Sequence, residues 1–186
     1  MKRLDFVKMY DGILSHVLCE NLINLFESAP DRQVEIDHDN KPNFTEMNIS
    51  AYYPKYHQLM TGYVIDAVNQ YAKECVDYSK FWPNQPTVLE GMRIKRYNAN
   101  TGERFDQHVD VCTPESAMRY LAILFYLNDN FEGGETKFTP DMKIKPKTGS
   151  VLIFPPTWQY PHAGLEVETG SKYIMSTYLH YYAPVK

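Results

Sequence analysis

Hydrophobic positions recur at helical spacing in two segments of the N-terminal half. Between residues 15 and 29 apolar side chains repeat every three or four positions, and Ser15 is placed to cap the N-terminus. A longer segment from Tyr56 to Tyr78 carries one apolar stripe with the same spacing. The two patterns predict two helices that each pack one face against a sheet. The polar stretch between them, residues 30–54, contains several prolines and is expected to be an irregular connection.

After residue 86 the pattern changes to short alternating or wholly apolar segments, separated by glycine, asparagine and proline turn signals. Two helices followed by a run of strands are typical of an α+β protein whose helices brace a sandwich or barrel. We expect one domain over residues 1–186, with a helical support region at 1–88 and a strand-rich core at 89–186. The predicted strands are Leu89–Tyr97, Tyr120–Leu127, Lys137–Thr139, Lys143–Lys145, Val151–Phe154 and Lys172–Tyr182.

The composition indicates a globular protein and disfavours several other classes. The chain has 186 residues, 44% of them hydrophobic and 23% charged, which fits one ordinary globular domain. With 19 basic against 23 acidic residues, a nucleic-acid partner is disfavoured. No stretch approaches the roughly 20 apolar residues of a membrane-spanning helix. Three isolated cysteines and the lack of a secretory leader pattern lead us to expect a cytoplasmic protein without disulfide bonds.

Three residues have the types and spacing of a metal-ligand set. His108 and Asp110 are two positions apart, so their side chains lie on one face of an extended segment. His162 follows the apolar strand predicted at 151–154 and a turn of two successive prolines. Two histidines and one carboxylate form the facial triad of non-haem Fe(II) sites. The same three groups would also hold zinc together with a water molecule.

Lys172 lies ten residues after His162 and opens the last predicted strand. Alternation along this strand places four side chains on one face: Lys172, Ile174, Ser176 and Tyr178. If that face lines a barrel interior, a buried ammonium near the metal requires an anion, which a dicarboxylate co-substrate would supply. The alternative, equally weighted on spacing alone, is an exposed lysine at a strand edge.

A series of short motifs runs through the second half of the chain: Arg96-Tyr97, Gly102, Phe105, His108-x-Asp110, Tyr126-Leu127-Asn128, Phe131-Glu132-Gly133-Gly134-Glu135-Thr136, Pro146-Lys147-x-Gly149, Phe154, His162-x-Gly164, Val167 and Gly170-x-Lys172-Tyr173. In this order they resemble the catalytic domain of prolyl 4-hydroxylases, which are Fe(II)- and 2-oxoglutarate-dependent dioxygenases. The resemblance covers about half of the chain, and its most family-specific piece begins at Phe131. The short length resembles bacterial or phage members more than secreted collagen-modifying ones.

The resemblance implies a double-stranded β-helix, a jelly-roll barrel of cupin type. It implies that the metal ligands for Fe(II) are His108, Asp110 and His162, and that Lys172 pairs with the distal carboxylate of 2-oxoglutarate. The tyrosines implied to bind or border that co-substrate are Tyr97, Tyr126 and Tyr178. Gly133 and Gly134 are expected to serve a backbone turn and to supply no ligand atom.

The implied reaction consumes 2-oxoglutarate and O2, releases succinate and CO2, and hydroxylates an unactivated C–H bond, with ascorbate supporting turnover. The resemblance favours a prolyl residue in a peptide or protein as substrate. One alternative is a 2-oxoglutarate oxygenase that acts on another amino acid or small molecule. Two further alternatives are a cupin-like metal-binding protein that does not use 2-oxoglutarate and a barrel that serves only as a binding module.

Tyr97 does not fit the pattern of its own strand. Strict alternation over residues 89–97 places Tyr97 on the same face as Arg93 and Lys95, opposite two apolar residues. The sequence therefore predicts either a bulge in this strand or a Tyr97 side chain that faces away from the site.

Overall fold

The structure is a computed structural model that describes residues 3–38, 41–75, 82–83, 87–139 and 141–181. Two 3-10 turns, at Arg3–Phe6 and Pro30–Arg32, accompany the helices and strands. The helices of the described residues are α1 (His16–Glu27), α2 (Ile49–Tyr52) and α3 (Pro54–Glu74). The strands are β1 (Lys8–Tyr10), β2 (Val34–His38), β3 (Lys41–Asn48), β4 (Thr87–Leu89), β5 (Arg93–Asn98), β6 (Phe105–His108), β7 (Arg119–Tyr126), β8 (Glu132–Gly133), β9 (Thr136–Phe138), β10 (Met142–Ile144), β11 (Val151–Phe154), β12 (His162–Gly164), β13 (Val167–Thr169) and β14 (Ser171–Tyr181).

Antiparallel pairing joins these strands into two main sheets. The larger sheet has the order β1-β11-β7-β14-β5-β3-β2, and β4 pairs with the far end of β14. The smaller sheet has the order β10-β9-β12-β6, and β8 and β13 form a separate pair. Mostly antiparallel sheets with few helices confirm the α+β class predicted from the sequence pattern and agree with the jelly-roll that the resemblance implies.

Alternation along the central strands divides their side chains between two hydrophobic cores. On β7, Leu121, Ile123 and Phe125 pack into the core that contains α1 and α3. Ala122 and Tyr126 of the same strand face a second core, which includes residues of the smaller sheet. Strands β11 and β14 alternate in the same way. Because β7 and β11 are buried on both faces, their sequences are nearly continuous apolar runs.

The two helices predicted by periodicity are present. The Ser15 hydroxyl accepts a hydrogen bond from the Leu18 amide at 3.2 Å, so it caps α1 as predicted. Helix α3 begins at Pro54, slightly before its predicted start, because proline is well tolerated in a first helical turn. The end predicted for this helix, after residue 75, lies outside the described residues. No helix in the described part of the chain is long and apolar enough to cross a membrane.

The prediction of an irregular connection at residues 30–54 is wrong. This stretch forms the hairpin β2–β3 and the short helix α2, and β3 pairs with β5 to extend the larger sheet. Phe44, Met47 and Ile49 are buried there among mostly polar neighbours, and that burial outweighs the weak sequence pattern. The region at 1–88 thus supplies three whole strands, β1, β2 and β3, and the start of β4 to the larger sheet in addition to helices.

The strand predicted over residues 89–97 is divided in the structure. It forms β4 and β5, and the chain leaves the ladder between them at Glu90, Gly91 and Met92. The Met92 carbonyl accepts a hydrogen bond from the Ile49 amide, and the Glu90 carbonyl accepts one from the Thr177 hydroxyl at 2.6 Å. The break therefore fixes Glu90 beside β14, close to the candidate site.

Candidate active site

A cavity lies between the two sheets, and β14 forms one wall of it. The four residues that alternation places on one face of this strand all line the cavity: Lys172, Ile174, Ser176 and Tyr178. The opposite wall carries His108 and His162 from the smaller sheet. This face of β14 therefore lines the cavity between the sheets, which the sequence alone left open.

The fold brings His108, Asp110 and His162 together. His108 ends β6 and His162 begins β12, and the two residues lie directly opposite each other in the pairing of these strands. Asp110 lies just beyond the end of β6. One potential ligand atom from each residue lies within 4.8 Å of the others. The Asp110 carboxylate lies 3.5 Å from Nε2 of His108 and 3.6 Å from Nε2 of His162.

Both imidazoles are oriented by the backbone two residues upstream. Nδ1 of His108 lies 2.8 Å from the Asp106 carbonyl oxygen, and Nδ1 of His162 lies 3.0 Å from that of Tyr160. A carbonyl oxygen can only accept, so these contacts assign the proton of each ring to Nδ1. The Nε2 lone pairs then face Asp110, which is how metal-binding histidines are commonly held.

Two polar atoms at the centre of the cluster are buried without a hydrogen bond from any described residue. They are Nε2 of His108 and Oδ2 of Asp110. Buried polar atoms normally have partners, because leaving one unsatisfied costs free energy. A divalent cation between the three side chains would satisfy both atoms, and two imidazoles with one carboxylate suit Fe(II).

The protonation of the cluster also suits a cation. Burial raises the pKa of Asp110, but the adjacent imidazoles of His108 and His162 and the hydrogen bond from the Tyr178 hydroxyl outweigh it, so the pKa lies below its ordinary value. Burial lowers the pKa of His162, despite the opposing charge of Asp110. The cluster therefore offers an ionised carboxylate, and His162 favours its neutral form.

Tyr178 supports the cluster from β14. Its hydroxyl donates to Oδ1 of Asp110 at 2.7 Å, and the Arg119 guanidinium lies 4.0 Å from the centre of its ring. Burial and the neighbouring Asp110 carboxylate raise the pKa of Tyr178, so the phenol keeps its proton. Tyr178 borders the cavity as the resemblance implies, but its hydroxyl contacts a candidate metal ligand, which was not expected.

Lys172 closes the inner end of the cavity. Its side chain is buried, and its ammonium donates to the Gly134 carbonyl at 2.6 Å. The same ammonium lies 5.3 Å from the ring centre of Tyr97 and 6.0 Å from that of Tyr126. Burial lowers the pKa of Lys172 to about 8, although Glu135 partly opposes the shift. The alternative of an exposed lysine at a strand edge is therefore wrong.

Neither predicted explanation for Tyr97 is correct. The ladder between β5 and β14 is regular, and Tyr97 lies opposite Lys172. Its side chain is buried and lines the cavity with Lys95. The face of β5 that carries Arg93, Lys95 and Tyr97 thus borders the site. Arg93 and Lys95 line an open groove, whereas Tyr97 lies deeper in the cavity.

Tyr126 lies behind the cavity wall. Its hydroxyl is hydrogen-bonded to the Thr136 hydroxyl at 2.7 Å, and both side chains are buried. Thr136 itself lines the cavity, as does Ser176. Sequence reasoning did not assign a role to Thr136, although it begins β9 at the end of the Gly-Gly-Glu-Thr motif.

Gly134 does more than allow a turn. Both Gly133 and Gly134 have positive φ angles, of 73° and 66°, so the expected turn is present. A Cβ on Gly134 would lie 2.9 Å from Cε2 of Phe131 and 3.2 Å from Cδ of Lys172. The Gly134 carbonyl also accepts the Lys172 hydrogen bond. Gly134 therefore leaves room for the Lys172 side chain and supplies the acceptor for its ammonium.

An open groove of about 500 Å³ leads outward from the metal cluster. Besides Asp110 of the cluster, it is lined by charged side chains that sequence reasoning did not identify, from β3, β5, β7 and the break before β5: Glu46, Glu90, Arg93, Lys95 and Arg119. The alternation of charges along β5 was the one sequence signal for this surface, and it was interpreted as a conflict with Tyr97.

Comparisons with known proteins agree with this geometry. The model of the 2OG-Fe(II) oxygenase superfamily matches residues 92–180. A putative prolyl 4-hydroxylase of Acanthamoeba polyphaga mimivirus is 34% identical over 104 residues, which cover 46% of this chain and 42% of that protein. The probable prolyl 4-hydroxylase 9 of Arabidopsis thaliana is 33% identical over 86 residues, or 35% of this chain and 29% of that protein. The chain thus matches less than half the length of these curated relatives.

Solved structures show the same fold along nearly the whole chain. A viral collagen prolyl hydroxylase from Paramecium bursaria Chlorella virus-1, in complex with 2OG, has a TM-score of 0.68 and 25% identity. It is matched over 96% of this chain and 97% of its own. A Pseudomonas putida prolyl-4-hydroxylase has a TM-score of 0.71 at 13% identity, over 95% of this chain and 93% of its own. Residues 92–180 of this chain are therefore similar to the 2OG-Fe(II) oxygenase superfamily, and the relatives and structures that resemble the chain include proteins named prolyl 4-hydroxylase.

Proposed function

We propose that the chain is an Fe(II)- and 2-oxoglutarate-dependent dioxygenase that hydroxylates a prolyl residue in a peptide or protein. The observation that carries the proposal is the convergence of two oriented imidazoles and an unsatisfied carboxylate oxygen in a cavity that ends at a buried lysine. A metal at one end and a cation at the other match the two functions of 2-oxoglutarate, which are metal chelation and charge pairing.

The proposed metal ligands are His108, Asp110 and His162. Bound Fe(II) would supply the activation of O2 that couples decarboxylation of 2-oxoglutarate to hydroxylation of a C–H bond. The backbone carbonyls of Asp106 and Tyr160 hold the two rings with Nε2 inward. Because three protein ligands approach from one side, the remaining positions stay available to co-substrate and O2.

Lys172 is proposed to pair with the distal carboxylate of 2-oxoglutarate. An ammonium has three N–H donors, and the described residues provide one hydrogen-bond acceptor, the Gly134 carbonyl. A carboxylate would use the remaining donors and would restore the charged form that burial disfavours. Tyr97 and Thr136 lie beside this position and are proposed to contact the co-substrate directly, whereas Tyr126 acts through Thr136.

A peptide substrate is supported by the open groove and by the relatives. The groove reaches the metal cluster from solvent, so a chain segment can lie in it while one residue enters the cavity. One structural neighbour is a Trichoplax adhaerens prolyl hydroxylase in complex with a peptide fragment of hypoxia inducible factor, with a TM-score of 0.72 at 16% identity. It is matched over 95% of this chain and 84% of its own, and at that identity it supports the fold.

A cytoplasmic site of action is also part of the proposal. Cys19, Cys75 and Cys112 are free thiols, the first two buried and the third exposed. Free thiols are the normal state of cysteine in a reducing compartment.

The proposal is tested by following 2-oxoglutarate conversion in the purified protein. The protein is supplied with Fe(II), O2 and ascorbate, with and without proline-rich peptides, and succinate is measured. We expect succinate to increase with peptide and a peptide to gain the mass of one oxygen at proline. Equal succinate formation without peptide would support the dioxygenase activity but would contradict the proposed prolyl substrate. Metal-loaded protein that forms no succinate under either condition would contradict the proposal.

A further inference from the structure

Resting on the function proposed above, we propose that Lys95 selects substrates that carry a carboxylate next to the oxidised residue. Lys95 lies at the junction of the inner cavity and the outer groove and lines both. It occupies the open side of the metal cluster, whereas Lys172 occupies the closed end. An anion that reaches Lys95 must therefore come from the substrate that enters through the groove.

Packing fixes the position of the Lys95 ammonium. On the larger sheet Lys95 lies opposite Glu46 of β3 and Ile174 of β14. Its Nζ lies 4.6 Å from the ring centre of Phe44 and 5.6 Å from that of Phe105. Phe105 in turn stacks on His108 with ring centres 3.7 Å apart. The Phe105 ring therefore lies between the Lys95 ammonium and the proposed metal ligand His108.

The two glutamates of the groove are engaged by other cations. Glu46 lies 3.3 Å from Nε of Arg93. Glu90 receives two hydrogen bonds from Arg119, at 2.6 and 2.7 Å, and lies 3.8 Å from Arg93. By contrast, no hydrogen bond or ion pair among the described residues involves the Lys95 ammonium. The third carboxylate of the groove, Asp110, accepts from the Tyr178 hydroxyl and is a proposed metal ligand, so Lys95 is the cation of the groove that has no described hydrogen-bond or ion-pair partner.

The Lys95 charge is costly to hold. Burial lowers the pKa of Lys95 although Glu46 and Asp110 act in the opposite direction. Contacts with the two aromatic faces offset part of this cost. A substrate carboxylate at this point would make the charge-assisted hydrogen bonds that the described protein groups do not supply. Two sources have this chemistry, an acidic side chain adjacent to the proline and the free carboxylate of a C-terminal proline.

The test measures binding of short peptides to the metal-free protein by competition with a fluorescent peptide, so that it does not depend on turnover. The peptides form two pairs. The first pair has glutamate or glutamine before an internal proline, and the second has a C-terminal proline as free acid or amide. We expect the acidic member of at least one pair to bind at least about tenfold more tightly than its neutral partner. The pair that shows the difference identifies the source of the carboxylate.

Variants then assign the preference to Lys95. Lys95→Met should remove the preference and Lys95→Arg should retain it, while Lys145→Met removes an exposed lysine outside the groove and should leave it unchanged. Circular dichroism establishes that each variant is folded. Equal binding within both pairs, binding of no peptide, or a preference that persists in Lys95→Met would overturn the inference. Loss of succinate formation with intact acidic preference would instead contradict the proposed reaction alone.

Discussion

The two lysines of the cavity are held in different ways. Lys172 is 3% exposed, donates to a backbone carbonyl and lies between two tyrosine rings. Lys95 is partly exposed, lies against two phenylalanine rings and borders the groove. The closed end suits one small, invariant anion whose position must be fixed. The open end suits an anion on a substrate whose remaining parts vary.

The metal cluster lies between these two ends and belongs to neither. His108 and His162 come from the smaller sheet, whereas Lys172 and Lys95 come from the larger one. Tyr178 connects the two sheets, since it lies on β14 and donates to Asp110. Substitutions at the cluster should therefore affect every function of the cavity, and substitutions at either lysine should affect one end.

The largest effect is expected from Asp110→Asn. The amide keeps the shape of the side chain but cannot supply an anionic ligand, and one of its ends would present N–H groups to the site. We expect metal affinity to fall by more than the roughly 10- to 100-fold typical of an outer-shell change, and succinate formation to be lost. Titration of metal-free protein with Fe(II) under anaerobic conditions measures this. The matched control is Asp106→Asn, an exposed carboxylate on the same segment; equal loss in both would remove Asp110 from the ligand set.

The next effect distinguishes the two ends directly. Lys172→Met removes a buried charge that is proposed to pair with 2-oxoglutarate, which should raise the KM for 2-oxoglutarate about a hundredfold. Lys95→Met should act instead on the KM for an acidic peptide. Steady-state kinetics with each substrate varied in turn gives both values. If Lys95→Met raised the KM for 2-oxoglutarate as strongly as Lys172→Met, the division into two ends would be incorrect.

A smaller effect should appear in the pH dependence of stability. The pKa of Lys172 is about 8 in the folded protein and ordinarily 10.5, so between these values the unfolded chain binds more protons. The free energy of unfolding should therefore rise with pH through this window. Relative to Lys172→Met, the wild type should gain about 2 kcal/mol between pH 7.5 and pH 9.5. Urea denaturation of both proteins across this range tests the sign, and a parallel course of the two curves would contradict it.

The smallest effect is expected from Tyr178→Phe, which removes the hydroxyl that orients Asp110. Metal affinity should fall by about tenfold while the fold is retained. Tyr173→Phe is a matched control on the same strand, because its hydroxyl bonds Glu27 on the outer face of the sheet. Anaerobic Fe(II) titration of both variants gives the comparison. An unchanged Fe(II) affinity in Tyr178→Phe would show that the hydrogen bond from Tyr178 to Asp110 does not contribute to metal binding.

Much of the fold follows from the sequence because periodicity reports burial. Strands β7 and β11 of the larger sheet are nearly continuous apolar runs, and the helices carry one apolar face each, so both were predictable. The hairpin β2–β3 was not, since it lies at the edge of the sheet and buries few apolar residues such as Phe44 and Met47. At an edge, tertiary pairing rather than local pattern decides the structure.

The candidate site was predictable to the extent that it depends on alternation. The spacing of His108 and Asp110 and the inward face of β14 both follow from it. The hydrogen bond from Lys172 to the Gly134 carbonyl does not, because it joins positions that are distant in sequence. The charged face of β5 was misinterpreted because alternation shows which residues share a face, but not whether that face ends in a groove.

The most direct test of the account is calorimetric binding of 2-oxoglutarate under anaerobic conditions, with and without Fe(II), in wild type and in Asp110→Asn and Lys172→Met. The proposed co-substrate site has a metal at one end and an ammonium at the other. We expect tight binding in the wild type that requires the metal, and marked weakening in each variant. Metal-independent binding in the wild type, or undiminished binding in both variants, would contradict this proposal.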